Sequence, residues 1–486
     1  MKRSMVSSTR GSDWLAFLVP LSLGVALGLW QCLILGLHLA LLTSLAGWFW
    51  KAVDKPFASP IALIAGVLIF AVALASILRT QGRSALRLAA LIVLGFALQH
   101  GLALLEGRGL AGMRDRIVTT GHAEFAQVAV AQQSVWRVLR QYEPLVDRGE
   151  LGRYARSKPP GQLLFYMITE RAAQAVHPQP TPEARLEQLR TVAAVMWPFL
   201  SCLALLPLFL FTRRAFDEDR ALLACVLYLL VPSFELITLH TDQVLFPLVT
   251  MTAAWLTLVA YERRSLPCGA GAGALFYLAM FFSFPLGAVA PIACATGVGW
   301  LLARREESGR ARTIHDAAAV TAAIAGGSLA LWCVMRLGLD YDFVTRYRRA
   351  IAFHEAWKRW TPGLAPTLYF GSINLLEFAF WLGFPLAVMA VAQAARSSRA
   401  LRRGRLDADA GLAVGLAGVL LAFALLGKTK GEVARLWLFL VPLVCVSASG
   451  EVNAWRRHRY GGHAVALLLA LQGLTLLFIK RFQDFW

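Results

Sequence analysis

The sequence predicts an all-α polytopic membrane protein of about thirteen transmembrane helices, with a large outer loop carrying short amphipathic helices. Three observations lead there. Hydrophobic residues make up 58% of the 486 and charged residues only 16%, with a mean hydropathy of +0.58. A soluble globular chain is about half apolar and about a quarter charged. Apolar runs long enough to cross a bilayer recur along the whole chain, each needing roughly 20 residues. Between them lies one long polar interruption, residues 106 to 189, too long for a mere connection.

Taken in order, the expected spans are about 14–36, 59–78, 88–105, 190–212, 221–239, 244–261, 268–284, 286–303, 317–338, 372–394, 410–427, 434–450 and 463–480. Lys2, Arg3 and Arg10 precede the first run, which begins at Trp14 and far exceeds a signal-peptide core, so an uncleaved anchor is expected. Residues 36–50 read as a second crossing, an interfacial helix or a tilted continuation. The stretch 265–303 carries no charge, and Phe284-Pro285-Leu286-Gly287 marks a tight turn between two crossings. Three units follow: N-terminal spans 1–105, an extracytoplasmic catalytic loop 106–189, and a helical core 190–486 with an outer loop 339–371.

The net charge is +19. Basic residues fall between apolar runs, which is the positive-inside pattern and excludes nucleic acid as the partner. One set of short connections holds Arg79/Arg83/Arg87, Arg213/Arg214/Arg220, Arg263/Arg264, Arg304/Arg305/Arg310/Arg312, Arg396 to Arg405 and Arg456/Arg457/Arg459. This set is expected in the cytoplasm, which places the loop 106–189 and the C-terminus outside, in the plasma or inner membrane. Long loops translocate largely regardless of charge, so the Arg content of 106–189 points to an anionic ligand. The outer face then collects 106–189, His240-Thr241-Asp242-Gln243, 339–371 and Lys428 to Arg435. Within 339–371, Arg346 to Arg349 and His354 to Trp360 read as an amphipathic helix at the lipid headgroups.

All seven cysteines lie in or beside apolar runs with no metal-type spacing, and read as small core residues. Lys158-Pro159-Pro160-Gly161 is more pointed. Pro-Pro blocks a helix and exposes the preceding Lys, while Gly161 opens a helix with free amide donors that favour an anion. Its plainer reading is a helix-opening turn.

Glu124-Phe125-Ala126-Gln127-Val128-Ala129, then Lys158-Pro159-Pro160-Gly161, then Arg190 before the span at Val192, resembles the GT-C superfamily of membrane glycosyltransferases. These use polyprenyl-phosphate sugars, and the nearest members are protein O-mannosyltransferases and lipid A aminoarabinose transferases. Pro232 followed by Thr241-Asp242-Gln243-Val244-Leu245 looks like the family's second outer acid. The resemblance covers about 106 to 305. It departs at Gly121-His122-Ala123-Glu124, where members usually carry an Asp-Glu pair.

The resemblance implies an inverting transferase moving one sugar from a polyprenyl-phosphate carrier to a lipid, glycan or protein acceptor at the outer face. Glu124 is the expected general base, with Asp115 its rival. Lys158, His122, Asp242, Arg190, Lys428 and Arg435 are the expected substrate-binding residues. No metal ligand and no cofactor is assigned, although a divalent cation stays open because some members are cation-dependent. Plainer readings stand beside these: Asp242 as a helix cap, His122 as a surface residue, and Lys428, Lys430 and Arg435 as interfacial anchors. Glu377 stands out as a carboxylate inside the uncharged stretch 360–395, where charge is costly. Two other classes remain: a glycan ligase or polymerase using lipid-pyrophosphate donors, and a transporter. In the former the large outer loop comes late in the chain; the latter would show repeated halves with mid-membrane charges.

Overall fold

A computed structural model describes residues 9–37, 42, 44–48, 50–80, 82, 84–119, 123–237, 244–304, 309–359, 363–426 and 429–483. Among them all the regular structure is helical, with no strand and one isolated bridge between Ala52 and Gln483. In chain order the helices are α1 (Thr9–Gly36), α2 (Pro60–Arg79), α3 (Ser84–Leu105), α4 (Gly109–Thr119), α5 (Ala123–Ala131), α6 (Val135–Arg140), α7 (Tyr142–Asp147) and α8 (Gly152–Ala155). They continue as α9 (Gly161–Val176), α10 (Pro182–Cys202), α11 (Leu205–Ala215), α12 (Glu218–Leu229), α13 (Pro232–Leu236), α14 (Phe246–Arg263), α15 (Leu266–Phe282) and α16 (Val289–Ala303). The last are α17 (Arg310–Leu339), α18 (Phe343–Trp357), α19 (Leu364–Leu382), α20 (Phe384–Arg402), α21 (Ala408–Leu426), α22 (Val433–Leu436), α23 (Val441–Trp455) and α24 (Gly461–Phe482).

The protein is an all-α, multi-pass membrane protein. Among the described residues nine helices are long and apolar enough to cross a bilayer, and ten if α19 and α20 count as one span bent by 111°. The lipid environment shows in α2, whose Ile61, Ile64, Leu68, Ile69 and Val72 are all exposed. A helix that apolar and that uncovered belongs in hydrocarbon. Three of the expected spans, 221–239, 244–261 and 268–284, miss the test. The first breaks at Val231–Pro232 into α12 and α13; α14 ends in Glu262 and Arg263; α15 has 17 residues. α12, α13 and α14 are mostly buried in the bundle, where packing rather than lipid contact holds them, and α15 buries one side against α17. α12 is the clearest case, since most of its side chains are buried on every side. The described residues between Gly36 and Pro60 form no helix, so 36–50 is not a second helical crossing there.

Local chemistry sets the helix starts. Ser59 Oγ accepts from the Ala62 amide at 3.2 Å ahead of Pro60, and Thr181 Oγ1 from Ala184 at 3.2 Å ahead of Pro182. Each pairs a side-chain cap with a proline at the first helical position, where its missing N–H costs nothing.

Ion pairs sort into two ends of the bundle. At one end Arg87 pairs with Glu218, Arg220 with Asp409, Arg214 with Glu262, Arg396 with Glu451 and Arg456 with Asp219. These are the Arg-rich short connections. At the other end Glu106 holds Arg116 and Lys480, and Arg481 holds Asp54. The segment from α4 to α9 sits at this second end on its own apolar core. Phe125, Leu145, Leu151, Leu163 and Tyr166 are buried there against Trp197 of α10.

Candidate active site

Glu124 lies in the first turn of α5 and is half-buried. Its Oε1 accepts from the Arg153 amide at 2.8 Å and its Oε2 from the Tyr154 amide at 2.9 Å. The carboxylate therefore closes the N-terminal turn of α8. Gly152, at φ +78°, makes this approach available: a Cβ there would meet the Glu124 carboxyl carbon at 2.3 Å. Each carboxylate oxygen keeps a further lone pair, so the group is fixed but still able to accept from a hydroxyl.

From α8 a continuous set of contacts runs across to the late part of the chain. The Tyr154 and Trp357 rings meet edge-on at 5.5 Å, and the Arg153 guanidinium lies 4.9 Å over Trp357. Trp357 ends α18, and the next residue, Lys358, pairs with Glu432 at 2.9 Å. Glu432 pairs also with Arg435 at 2.6 Å. Burial alone would raise the Glu432 carboxyl, but Arg435 and Lys358 outweigh it and hold the group down at about 2. It is thus an anion that keeps two cations fixed beside each other. The described parts of the expected outer stretches 106–189, 339–371 and 428–435 come together here, at the end of the bundle opposite the Arg-rich short connections.

A second contact docks the same helix. Arg346 of α18, expected at the headgroups, is instead 1% exposed. It donates to Glu143 at 3.3 Å and to the Arg156 carbonyl at 2.6 Å, with Tyr142 beneath it. Arg349 adds pairs to Glu143 at 3.1 Å and Asp147 at 3.0 Å. The α18 helix is therefore amphipathic with its basic face turned onto the protein. Burial pushes the Tyr142 hydroxyl well above its usual range despite the nearby Arg346; it donates to the Ala155 and Lys158 carbonyls at 3.2 Å.

Lys158 sits half-buried in the turn before α9. Gly161 opens that helix, and a Cβ on it would meet the Phe281 carbonyl oxygen at 2.5 Å. The glycine is thus required for close packing on α15, and the turn reading of Lys158-Pro159-Pro160-Gly161 is satisfied as well. Arg190 is drawn elsewhere: it pairs with Asp115 at 2.6 Å and Glu187 at 2.7 Å, and donates to the Arg114 carbonyl at 3.3 Å. Asp115 is further engaged by Arg108. These contacts tie α4 to α10. His122, Asp242 and Lys428 lie outside the described residues.

Glu377 of α19 is fully buried and takes Trp50 Nε1 at 2.8 Å and the Ala434 amide at 3.2 Å on one oxygen. Among the described residues no group of three or more His, Cys, Asp or Glu could hold a metal ion. Arg153, Trp357, Lys358 and Glu432 complete the site although the motifs do not single them out as binding residues; their partners lie on the far side of the sequence.

No family model matches the chain, and no curated protein matches its sequence. Among solved structures it is similar to the Archaeoglobus fulgidus oligosaccharyltransferase in complex with Zn and sulfate, at 16% identity over 80% of this chain and 52% of that one, with a TM-score of 0.49. The apo form gives 15% identity, 81% and 55% coverage, and a TM-score of 0.47. The archaeal oligosaccharyltransferase bound to an inhibitory peptide and a dolichol-phosphate gives 15%, 81% and 55%, and 0.48. The chain spans about half the length of these structures.

Proposed function

We propose that the protein is a GT-C type glycosyltransferase that moves one sugar from a polyprenyl-phosphate carrier to an acceptor at the extracytoplasmic face. The observation that supports it is the run of contacts from Glu124 through Arg153, Tyr154 and Trp357 to Lys358, Glu432 and Arg435. It joins a fixed carboxylate to fixed cations at one end of an apolar bundle. In this reading the carrier's tail lies among the spans and its phosphate meets Lys158 and Arg435. A cation there stabilises the charge that develops on the departing phosphate, where electrostatic effects are usually largest. Glu124 takes the acceptor's hydroxyl proton. His122, Asp242 and Lys428, on the same outer stretches, are assigned to the sugar and phosphate. Arg190 acts through α4, holding the first helix of the loop. A divalent cation, if one is used, would draw on His122 as its candidate ligand in the loop.

A ligase or polymerase shares the face and the lipid, and a transporter shares the bundle. Mass analysis of lipid-linked sugars and surface glycans in a deletion strain separates them. The transferase accumulates a polyprenyl-phosphate monosaccharide and loses one glycan modification. An accumulating lipid-pyrophosphate oligosaccharide would favour the ligase. Complementation with Lys158→Ala should leave the same accumulation in milder form, because a contact to the charged leaving group raises donor demand and slows turnover together. Full restoration by a well-folded Lys158→Ala protein would remove Lys158 from the site.

The sidedness has its own check. Gln141 in the outer segment and Ser398 among the Arg-rich connections are both exposed. Cysteines placed at the two should label from opposite sides of the membrane, with Gln141 outside. Labelling from the same side would overturn the orientation.

A further inference from the structure

We propose that Asn374 and Glu377 are positioning residues that hold the basic segment 429–435 in its phosphate-binding shape. This rests on the reading of Arg435 as a ligand of the carrier phosphate. The two side chains stand three apart on α19, on one face of the helix, and are 1% and 0% exposed. Asn374 donates its Nδ2 to the Thr429 carbonyl at 2.7 Å and accepts the Gly431 amide on Oδ1 at 3.2 Å. Glu377 Oε1 accepts the Ala434 amide at 3.2 Å and is itself oriented by Trp50 Nε1 at 2.8 Å. Three backbone groups of the segment are thereby gripped from one helix face.

The segment needs that grip. Gly431 and Glu432 are both left-handed, at φ +73° and +63°, and the second is strained for a residue with a Cβ. The turn it forms brings Glu432 between Lys358 and Arg435. It also leaves the Lys430 ammonium 4.6 Å over the Phe370 ring of the same α19. Without Asn374 and Glu377 the buried Gly431 and Ala434 amides and the half-buried Thr429 carbonyl would lose these partners, and a strained turn would relax. The cations would stay attached to the chain but lose their common geometry. A site for a charged group depends on such fixed donors, not on charge count alone.

The test uses the purified full chain in detergent and two probes, decaprenyl phosphate and the neutral alcohol decaprenol. Arg435→Ala should weaken decaprenyl phosphate about tenfold or more, as loss of a hydrogen bond to a charged group does, and leave decaprenol unchanged. Asn374→Leu and Glu377→Leu should each weaken the phosphate by about tenfold with decaprenol unchanged. Glu377→Gln should recover most of the loss, because its carbonyl accepts the same two N–H groups. In the Arg435→Ala background, Asn374→Leu should cost clearly less than it does alone, since residues acting through one another are not additive. Should the leucine variants fail to fold, Asn374→Ser, which stays neutral and is too short to reach Thr429 and Gly431, carries the same comparison.

Equal losses for the phosphate and the alcohol would mean a packing role only and overturn the inference. So would full additivity with Arg435→Ala. If Arg435→Ala leaves the phosphate affinity untouched, the assignment of Arg435 fails first. If Arg435→Ala weakens it while both leucine variants are silent, only the positioning role of Asn374 and Glu377 falls.

Discussion

Glu124→Gln is expected to lower turnover by a factor of about 10² to 10⁴, the range of a positioned general base, while the carrier phosphate still binds. The carboxylate is held by the Arg153 and Tyr154 amides, so its effect comes from placement against the acceptor hydroxyl. Glutamine keeps the shape but loses the proton acceptor. It also turns an NH2 toward one of the two amides, an unmade hydrogen bond of about 1–3 kcal/mol. Rate alone would therefore mix chemistry with local loosening. Decaprenyl phosphate affinity and the melting temperature separate the two: a base loses rate with affinity intact, whereas a mere cap of α8 loses stability first. Asp115→Asn is the control. Asp115 pairs with Arg190 and Arg108 at a partly exposed site, and such pairs are worth about 0–1 kcal/mol, so turnover should stay near wild type. Normal transfer by Glu124→Gln with a dead Asp115→Asn would name the other acid as the base.

Arg346→Met should undock α18 from α7 and from the turn that follows α8. The guanidinium is fully buried and serves both Glu143 and the Arg156 carbonyl. Removing one partner of a buried pair costs about 3–5 kcal/mol because the other is left uncompensated. Glu143 keeps Arg349 and some solvent, which places the loss near the lower figure, about 3 kcal/mol. That is roughly a hundredfold in the docking equilibrium. Amide hydrogen exchange across Phe343–Trp357 should accelerate accordingly, while exchange in α23, buried in the bundle, should not change. Equal acceleration in both would indicate general unfolding; none in either would mean that Arg349 alone holds the helix.

Arg346 also marks where sequence reasoning reaches its limit. The run Arg346-Tyr347-Arg348-Arg349 shows that a helix is amphipathic but not what its polar face meets, and here it meets acids some two hundred positions upstream. The same holds for Glu124, whose amide partners at Arg153 and Tyr154 leave no trace in composition or spacing. Arg190 stands before a span as a phosphate ligand would, and its pairs with Asp115 and Glu187 are not visible in that spacing. Spans that face lipid are read well, because crossing hydrocarbon requires length and apolarity and nothing else. The interior pair α12–α13 escapes that rule, since neighbours bury it and shortness costs it little, while α15 at 17 residues falls just short of the rule. That 106–189, 339–371 and 428–435 share one side of the membrane is an expectation from charge placement alone. Their joining through Trp357 and Glu432 is not.

The bend between α19 and α20 carries a consequence for how the chain is made. Gly383, at φ +87°, breaks the helix, and two glutamines answer the freed backbone groups. Gln31 of α1 donates to the Phe380 carbonyl at 2.8 Å and accepts the Phe384 amide at 3.0 Å. Gln472 of α24 donates to the Leu382 carbonyl at 2.6 Å and the Leu230 carbonyl at 3.1 Å. One of these partners is synthesised near the beginning and the other near the end. A nascent chain that has inserted α19 and α20 but not yet α24 carries an open backbone polar group within the bilayer, where each costs several kcal/mol. The broken span is thus a molecular record of completion: it becomes comfortable in lipid only once the last helix has arrived.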